Sequence, residues 1–290
     1  MNVGLIGVGL MGHGIARNVL SRGGHALTYL DHPGNQPTDE IVSLGGMAVT
    51  TPAEIAAVCD VVLLCVTGAP QVETVMDGLL PALRPGTVVV DCSTSLPETT
   101  LRMGARTDEA GGAYLDAPMT RTAAHAHAGT LNLLVGGESD TLERVRPVLD
   151  SFTETVTHVG PLGHGHQLKL LHNYVSVGFM TLLAEAAAQS ADAGVDPAVL
   201  VEVLANGGGA SAALDRLAPF IVDGDRSGLP FAVANARKDI DYYREMAEAA
   251  GGQTTVADGV SAAIRGACDS GGGDAYVPEM VRLFRRSGGA

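Results

Sequence analysis

The sequence predicts an α/β domain built on a parallel sheet, followed by an all-α domain. Three observations carry this. Over the first 160 residues short apolar runs alternate with helical patterns, the signature of βαβ units. A Gly-x-Gly-x-x-Gly stands directly after the first run. Beyond about residue 161 apolar residues recur only at helical spacing.

Taken in order, residues 3–7, 26–30, 61–66, 87–92 and 113–116 read as strands, and 131–135 and 155–159 extend the same sheet. The glycine cluster opens a helix that runs to about Ser21. At Thr51-Pro52-Ala53-Glu54 a helix can start, because Thr51 can cap it and Pro52 suits the first helical position. Gly160-Pro161-Leu162-Gly163 interrupts the alternation, and residues 167–193 then form one helix well above average length. Further helices are expected at 197–204, 211–219, 232–250, 256–269 and 278–286. The expected domains are 1–161 and 162–290.

Of the 290 residues, 46% are apolar and 17% charged, and 38 are glycine, which excludes a disordered or fibrous chain. Lys and Arg number 18 against 32 Asp and Glu, a net charge of −14 that opposes nucleic acid and anionic membrane surfaces as partners. A small anionic substrate stays compatible where positive charge gathers locally. Cys59, Cys65, Cys92 and Cys268 form no Cys-x-x-Cys pair and read as free thiols of a reducing compartment, so a cytoplasmic location is expected. The N-terminus lacks a basic signal-like segment, and no apolar run reaches the roughly 18 residues of a membrane span.

In Gly7-Val8-Gly9-Leu10-Met11-Gly12 the first glycine permits a tight turn, the second lets backbone approach a pyrophosphate, and the third allows close packing of helix on strand. The helix start adds amide N–H groups and a favourable dipole for phosphate. Asp31 ends the second strand 19 residues after Gly12, where a carboxylate can accept hydrogen bonds from the adenosine ribose. A Rossmann dinucleotide-binding domain is therefore expected. The carboxylate would repel a 2′-phosphate, and His32 and Pro33 follow it rather than an arginine, so NAD is preferred over NADP.

These motifs, with others further along, resemble the β-hydroxyacid dehydrogenases, the family of 3-hydroxyisobutyrate dehydrogenase and tartronate semialdehyde reductase, related in fold to 6-phosphogluconate dehydrogenase. The resemblance rests on residues 4–12, Asp91-Cys92-Ser93-Thr94, Asp116-Ala117-Pro118, Gly129-Thr130-Leu131, Val135-Gly136-Gly137, Gly163-x-Gly165-x-x-x-Lys169-x-x-x-Asn173, and Phe231 with Lys238-Asp239. It implies an enzyme that moves a hydride between NAD and a small β-hydroxy acid or its semialdehyde, assembled as a homodimer or homotetramer. It also implies cofactor contacts from Gly7, Gly9, Leu10, Met11, Gly12, Asp31, Val66, Thr67, Thr94 and Lys238. Met119-Thr120-Arg121-Thr122 departs from the usual Ser-Gly-Gly and is similar to the sulfolactaldehyde reductase branch, where the arginine engages a second anionic group. His172 stands where most members carry a first asparagine, and Thr67 replaces a usual proline.

Lys169 and Asn173 are i and i+4 and share one helix face, so the lysine can serve as acid/base with the asparagine orienting it or the substrate. Ser93, Thr120, Arg121 and Thr122 are expected to hold the anionic end, and His172, which neighbours Lys169, can hydrogen-bond the substrate. His125-x-His127 and His164-x-His166 gain no further ligand at a familiar spacing, so no metal site is expected. Two alternatives stand beside this reading: an imine reductase of the same fold, which Lys169 argues against, and a cofactor-binding scaffold without turnover.

Overall fold

The computed structural model describes residues 1–285. The chain divides into two compact units, Met1–Lys169 and the part from Leu170 onward. The division falls inside a helix, some residues beyond the break expected near 161.

The first unit runs β1 (Asn2–Ile6), α1 (Leu10–Ser21), β2 (Ala26–Leu30), α2 (Asp39–Ser43), β3 (Met47–Val49), α3 (Pro52–Val58), β4 (Val61–Leu64), α4 (Ala69–Leu79), β5 (Val88–Asp91), α5 (Pro97–Glu109), β6 (Ala113–Asp116), β7 (Met119–Thr120), α6 (Ala123–Ala128), β8 (Leu131–Gly136), α7 (Ser139–Leu149) and β9 (Thr153–Gly160). Its sheet has the order β3-β2-β1-β4-β5-β6-β8-β7, with β9 pairing β8. From β3 to β6 every pairing is parallel. Chain order reverses at β1, which lies between β2 and β4, and the carboxyl ends of β1, β4, β5 and β6 share one edge, where open α/β sheets bind ligands.

The central strands read as continuous apolar runs because helices cover both faces. Val61 and Leu63 of β4 point into one core with Leu5, Val88 and Val90, while Val62 and Leu64 point into another with Ile6, Val89 and Met76. Each such side chain contributes about 1.5–3 kcal/mol on burial.

Three features depart from the expected pattern. β8 pairs antiparallel with β6, and β7 forms a short antiparallel pair with β8, so the sheet is parallel only in part. β3 is three residues long and largely exposed, so it leaves no apolar run to read. α8 (His164–Asp192) begins three residues before the apolar periodicity does. The cause lies far away in sequence: the Asp116 carboxylate accepts the Gly163 and His166 amides, at 2.9 and 2.7 Å, and caps the helix from the end of β6.

The second unit continues α8 and adds α9 (Pro197–Ala205), α10 (Ala212–Asp223), α11 (Val233–Ala249), α12 (Thr255–Ala267) and α13 (Met280–Leu283). Val177, Met180, Ala184, Leu217, Ile240 and Ile264 lie in its core. α10 passes through Pro219, where a stop was expected, and ends at Gly224 in the left-handed conformation. After α12 the chain makes a π turn at Cys268–Gly272, and the expected 278–286 helix is a 3₁₀ turn, Val277–Glu279, followed by α13. Arg286, the last residue of that expectation, lies outside the described residues.

Candidate active site

The glycine loop is built from local constraints. Gly7 has φ +99°, and a Cβ there would stand 2.2 Å from the Cys65 carbonyl oxygen. A Cβ on Gly12 would stand 1.9 Å from the Gly7 carbonyl oxygen, so α1 can lie this close to β1 only without a side chain. Gly9 differs. It is the N-cap of α1, no side chain caps it, and a Cβ there would meet nothing within 4 Å. Open space in front of an uncapped helix start fits a pyrophosphate. Leu10 is exposed and Met11 half-buried on the first turn.

Asp31 follows β2 and is exposed, with its amide bonded to the Val49 carbonyl at 2.8 Å. The loop after it docks on the glycine loop: Asn35 Oδ1 accepts the Val8 amide at 3.3 Å, and the Gln36 amide donates to the Val8 carbonyl at 2.8 Å. Nothing in the sequence pattern singled out Asn35. Residues 31–38 contain no Lys or Arg, and the Gly34 amide donates to His32 Nδ1 at 3.0 Å.

At the ends of β4 and β5 the Val66 amide donates to Ser93 Oγ at 3.0 Å, and the Ser93 amide donates to Asp91 Oδ1 at 2.9 Å. Ser93 is 3% exposed, which makes it part of the floor of this edge. Thr67 is exposed and Thr94 half-buried beside it. Asp91 and Asp116 are fully buried; the Tyr114 hydroxyl donates to Asp91 Oδ2 at 3.0 Å. That burial and the Asp91 charge push the Tyr114 hydroxyl well above its usual pKa. Burial likewise pushes the Cys59 thiol up to about 11.

Thr120, Arg121 and Thr122, expected from the sequence to hold the substrate, follow one another at β7 and the start of α6. Arg121 has φ 77°, alone among the described non-glycine residues in being positive. Its Nη1 donates to the Thr130 carbonyl at 2.7 Å and to Glu154 of β9. With the Asn132 amide turned so that its oxygen faces the guanidinium, Nε donates to it at 3.2 Å. Thr122 precedes α6, and its hydroxyl meets His125 Nδ1 at 2.9 Å. Glu154 carried no signal in the sequence, because nothing local links it to residue 121.

α8 carries Lys169, which is half-buried, and Asn173, which is 8% exposed. In the second unit Asn173 Nδ2 donates to Asp239 Oδ2 at 2.6 Å, while its Oδ1 meets His172 Nδ1 at 3.0 Å. An amide oxygen only accepts, so this bond places a proton on Nδ1 of His172. Lys238 Nζ lies 3.1 Å from Asp239 Oδ1 and 5.3 Å from the Tyr242 ring centroid. Asp239, only 3% exposed, thus ties Asn173 to Lys238. Among the described residues no group of three or more His, Cys, Asp and Glu could hold a metal ion, and no helix is long and apolar enough to cross a membrane.

A glycine-lined helix start at the switch point of a parallel sheet, followed by a helical unit whose first helix bears the lysine and asparagine, defines a nicotinamide-dependent oxidoreductase. The family model for the NAD-binding domain of 6-phosphogluconate dehydrogenase matches residues 2–160, and that for the NAD-binding domain of NADP-dependent 3-hydroxyisobutyrate dehydrogenase matches 163–284. The chain is 33% identical to 2-(hydroxymethyl)glutarate dehydrogenase of Eubacterium barkeri, over 84% of this chain and 82% of that protein. It is 32% identical to an NAD-dependent L-serine dehydrogenase of Pseudomonas aeruginosa, over 87% of each. The structure of Mycobacterium tuberculosis 3-hydroxyisobutyrate dehydrogenase with L-serine superposes with a TM-score of 0.87 at 24% identity, covering 98% of this chain and 99% of that one. The chain belongs to the β-hydroxyacid dehydrogenase family, NAD(P)-dependent enzymes acting on small hydroxy acids and their semialdehydes.

Proposed function

We propose that the protein interconverts a small β-hydroxy carboxylate and its semialdehyde, using NAD in preference to NADP, with Lys169 as the acid/base. The observation that carries this is the placing of Lys169 and Asn173 one turn apart on α8, with Asn173 held by the buried Asp239. The substrates in the names of the two relatives, 2-(hydroxymethyl)glutarate and L-serine, both carry a carboxylate and a β-hydroxyl, which supports the class.

When bound, the nicotinamide supplies or accepts the hydride. Lys169 gives a proton to the carbonyl oxygen in reduction and takes it from the hydroxyl in oxidation. Asn173 and His172 orient that oxygen. Ser93, Thr120, Arg121 and Thr122 hold the carboxylate end by hydroxyls, amides and a guanidinium. Gly7, Gly9, Leu10, Met11 and Gly12 take the pyrophosphate, Asp31 the ribose hydroxyls, and Val66, Thr67, Thr94 and Lys238 the rest of the dinucleotide. NAD is favoured because residues 31–38 offer no cation beside Asp31 to meet a 2′-phosphate.

A second anionic group on the substrate, such as a sulfonate, would meet Arg121. It must compete with Glu154 for that guanidinium, so its gain is about tenfold, the lower end of what a charge-assisted contact supplies. A second copy of the chain covers the apolar stripe of α8 formed by Leu171, Val175, Phe179 and Leu182, which are 41, 58, 44 and 67% exposed, giving a homodimer or homotetramer.

The test is turnover of 3-hydroxyisobutyrate, 4-hydroxybutyrate, glycerate and dihydroxypropanesulfonate with each cofactor, for the wild type and Lys169→Ala. A loss of about 10² to 10⁴ in kcat with NADH binding retained is expected for the variant. A variant within a few-fold of wild type would remove Lys169 from the role, and equal or better efficiency with NADP would remove the cofactor assignment.

A further inference from the structure

We propose that His166 is a positioning residue for this reaction, tying the Ser93 carbonyl at the end of β5 to the first turn of α8, one turn ahead of Lys169. The inference rests on the reading of Lys169 given above. His166 is fully buried and lies wholly within the first unit. Its Nε2 is 3.1 Å from the Ser93 carbonyl oxygen and its Nδ1 is 2.6 Å from Thr100 Oγ1. A carbonyl oxygen only accepts, so Nε2 carries a proton and donates it to Ser93.

Among the described residues that donor has no other partner of comparable geometry. The ring stands between two buried carboxylates, with Asp91 Oδ2 3.9 Å from Nε2 and Asp116 Oδ2 3.8 Å from Nδ1. Both are engaged: Asp91 accepts the Ser93 amide and the Tyr114 hydroxyl, and Asp116 accepts the Gly163 and His166 amides. The backbone of His166 is therefore fixed to β6, while its ring is fixed to β5 and, through Thr100, to α5.

Ser93 is correspondingly held at three atoms: its amide by Asp91, its hydroxyl by the Val66 amide and its carbonyl by His166. Of these three bonds the last connects it to α8. The approach is tight because a Cβ on Gly165 would lie 2.4 Å from the Leu134 carbonyl oxygen and one on Gly136 2.4 Å from Asp116 Oδ1. The helix start is pressed on the sheet edge, and His166 sets where the Ser93-Thr94 segment stands beneath it. Loss of that bond shifts the segment relative to Lys169, and misplacement of reacting groups by about 1 Å can cost about 10²-fold in rate.

The experiment compares His166→Gln, whose amide nitrogen reaches the place of Nε2, with His166→Asn, which is one bond shorter and reaches only the Thr100 side. Thr100→Val, which leaves the Ser93 donor in place, is the third variant. Folding is checked by thermal unfolding, NADH binding by fluorescence titration, and the Ser93 segment by amide hydrogen exchange of a peptide spanning residues 92–96. His166→Gln and Thr100→Val should keep kcat within about threefold and leave exchange slow, while His166→Asn should lower kcat by about 10- to 100-fold, with NADH affinity falling by less than kcat does and exchange faster. In a Lys169→Ala background the Asn substitution should lower kcat by less than about twofold further, because the two residues act as one unit.

Equal kcat and equal exchange for the Asn and Gln variants would overturn the proposal, as would a loss in Thr100→Val matching that in His166→Asn. If Lys169→Ala slows turnover but His166→Asn does not, the positioning role alone fails. If Lys169→Ala leaves turnover intact, the acid/base reading fails, and the exchange contrast between Gln and Asn still decides whether His166 holds the Ser93 segment.

Discussion

The glycine loop after β1 and the turn between β7 and α6 both need backbone in the left-handed region, and they meet that need in opposite ways. Gly7, at φ +99°, has no alternative: any Cβ would collide with the Cys65 carbonyl. Arg121, at φ 77°, holds a similar torsion with a long charged side chain. Left-handed backbone costs an L residue about 1–2 kcal/mol. Hydrogen bonds from the guanidinium to the Thr130 carbonyl, Glu154 and Asn132 offset that cost. In the first loop shape alone excludes side chains. In the second a side chain is kept against the torsional preference, which points to a use for its charge.

The largest effect should come from Gly12→Ala. The added Cβ would force α1 away from the Gly7 carbonyl, so NADH affinity should fall by about 100-fold or more, with a lower Tm, as read by fluorescence titration and calorimetry. Gly9→Ala separates the two roles of the loop. Its Cβ enters open space, so stability should change by less than about 0.5 kcal/mol while NADH affinity drops about tenfold or more. A stable variant that binds NADH as tightly as wild type would show that the space before α1 is not the pyrophosphate site.

In the loop around Arg121 glycine should again be better tolerated than alanine, here because of the torsion alone. Arg121→Ala loses the hydrogen bonds yet keeps the strained torsion, and should cost about 1–2 kcal/mol by denaturant unfolding. Arg121→Gly loses the same bonds and relieves the strain, so it should lie within about 1 kcal/mol of wild type. The Gly variant should also lower kcat/KM about tenfold for dihydroxypropanesulfonate and much less for an uncharged aldehyde of similar size. Equal losses would make Arg121 a loop-shaping residue. The smallest effect is expected for Glu154→Gln, which removes the competing carboxylate and should raise kcat/KM for the sulfonate by about two- to threefold.

The two loops also mark how far the sequence could be read. Gly7, Gly9 and Gly12 were legible because turn torsions and helix starts are decided within a few residues. Lys169 and Asn173 share a helix face by the α-helical period alone, and the continuous apolar runs of β4 and β5 announce a sheet covered on both sides. The antiparallel entry of β8 left no such trace, since period-two patterning is the same for either direction.

Only the tertiary structure decided the polar partners that lie far apart in sequence. Asp116 caps α8 across 47 and 50 residues, His166 meets Ser93 across 73, Asp239 holds Asn173 across 66, and Glu154 takes Arg121 across 33. Periodicity and torsional preference are properties of near neighbours, whereas the pairs made by Asp116 and His166 exist because the strand order brings the ends of β5 and β6 and the start of α8 to one sheet edge. There, away from water, each carboxylate and carbonyl must find a donor, and the donor it finds is whichever the packing places within reach.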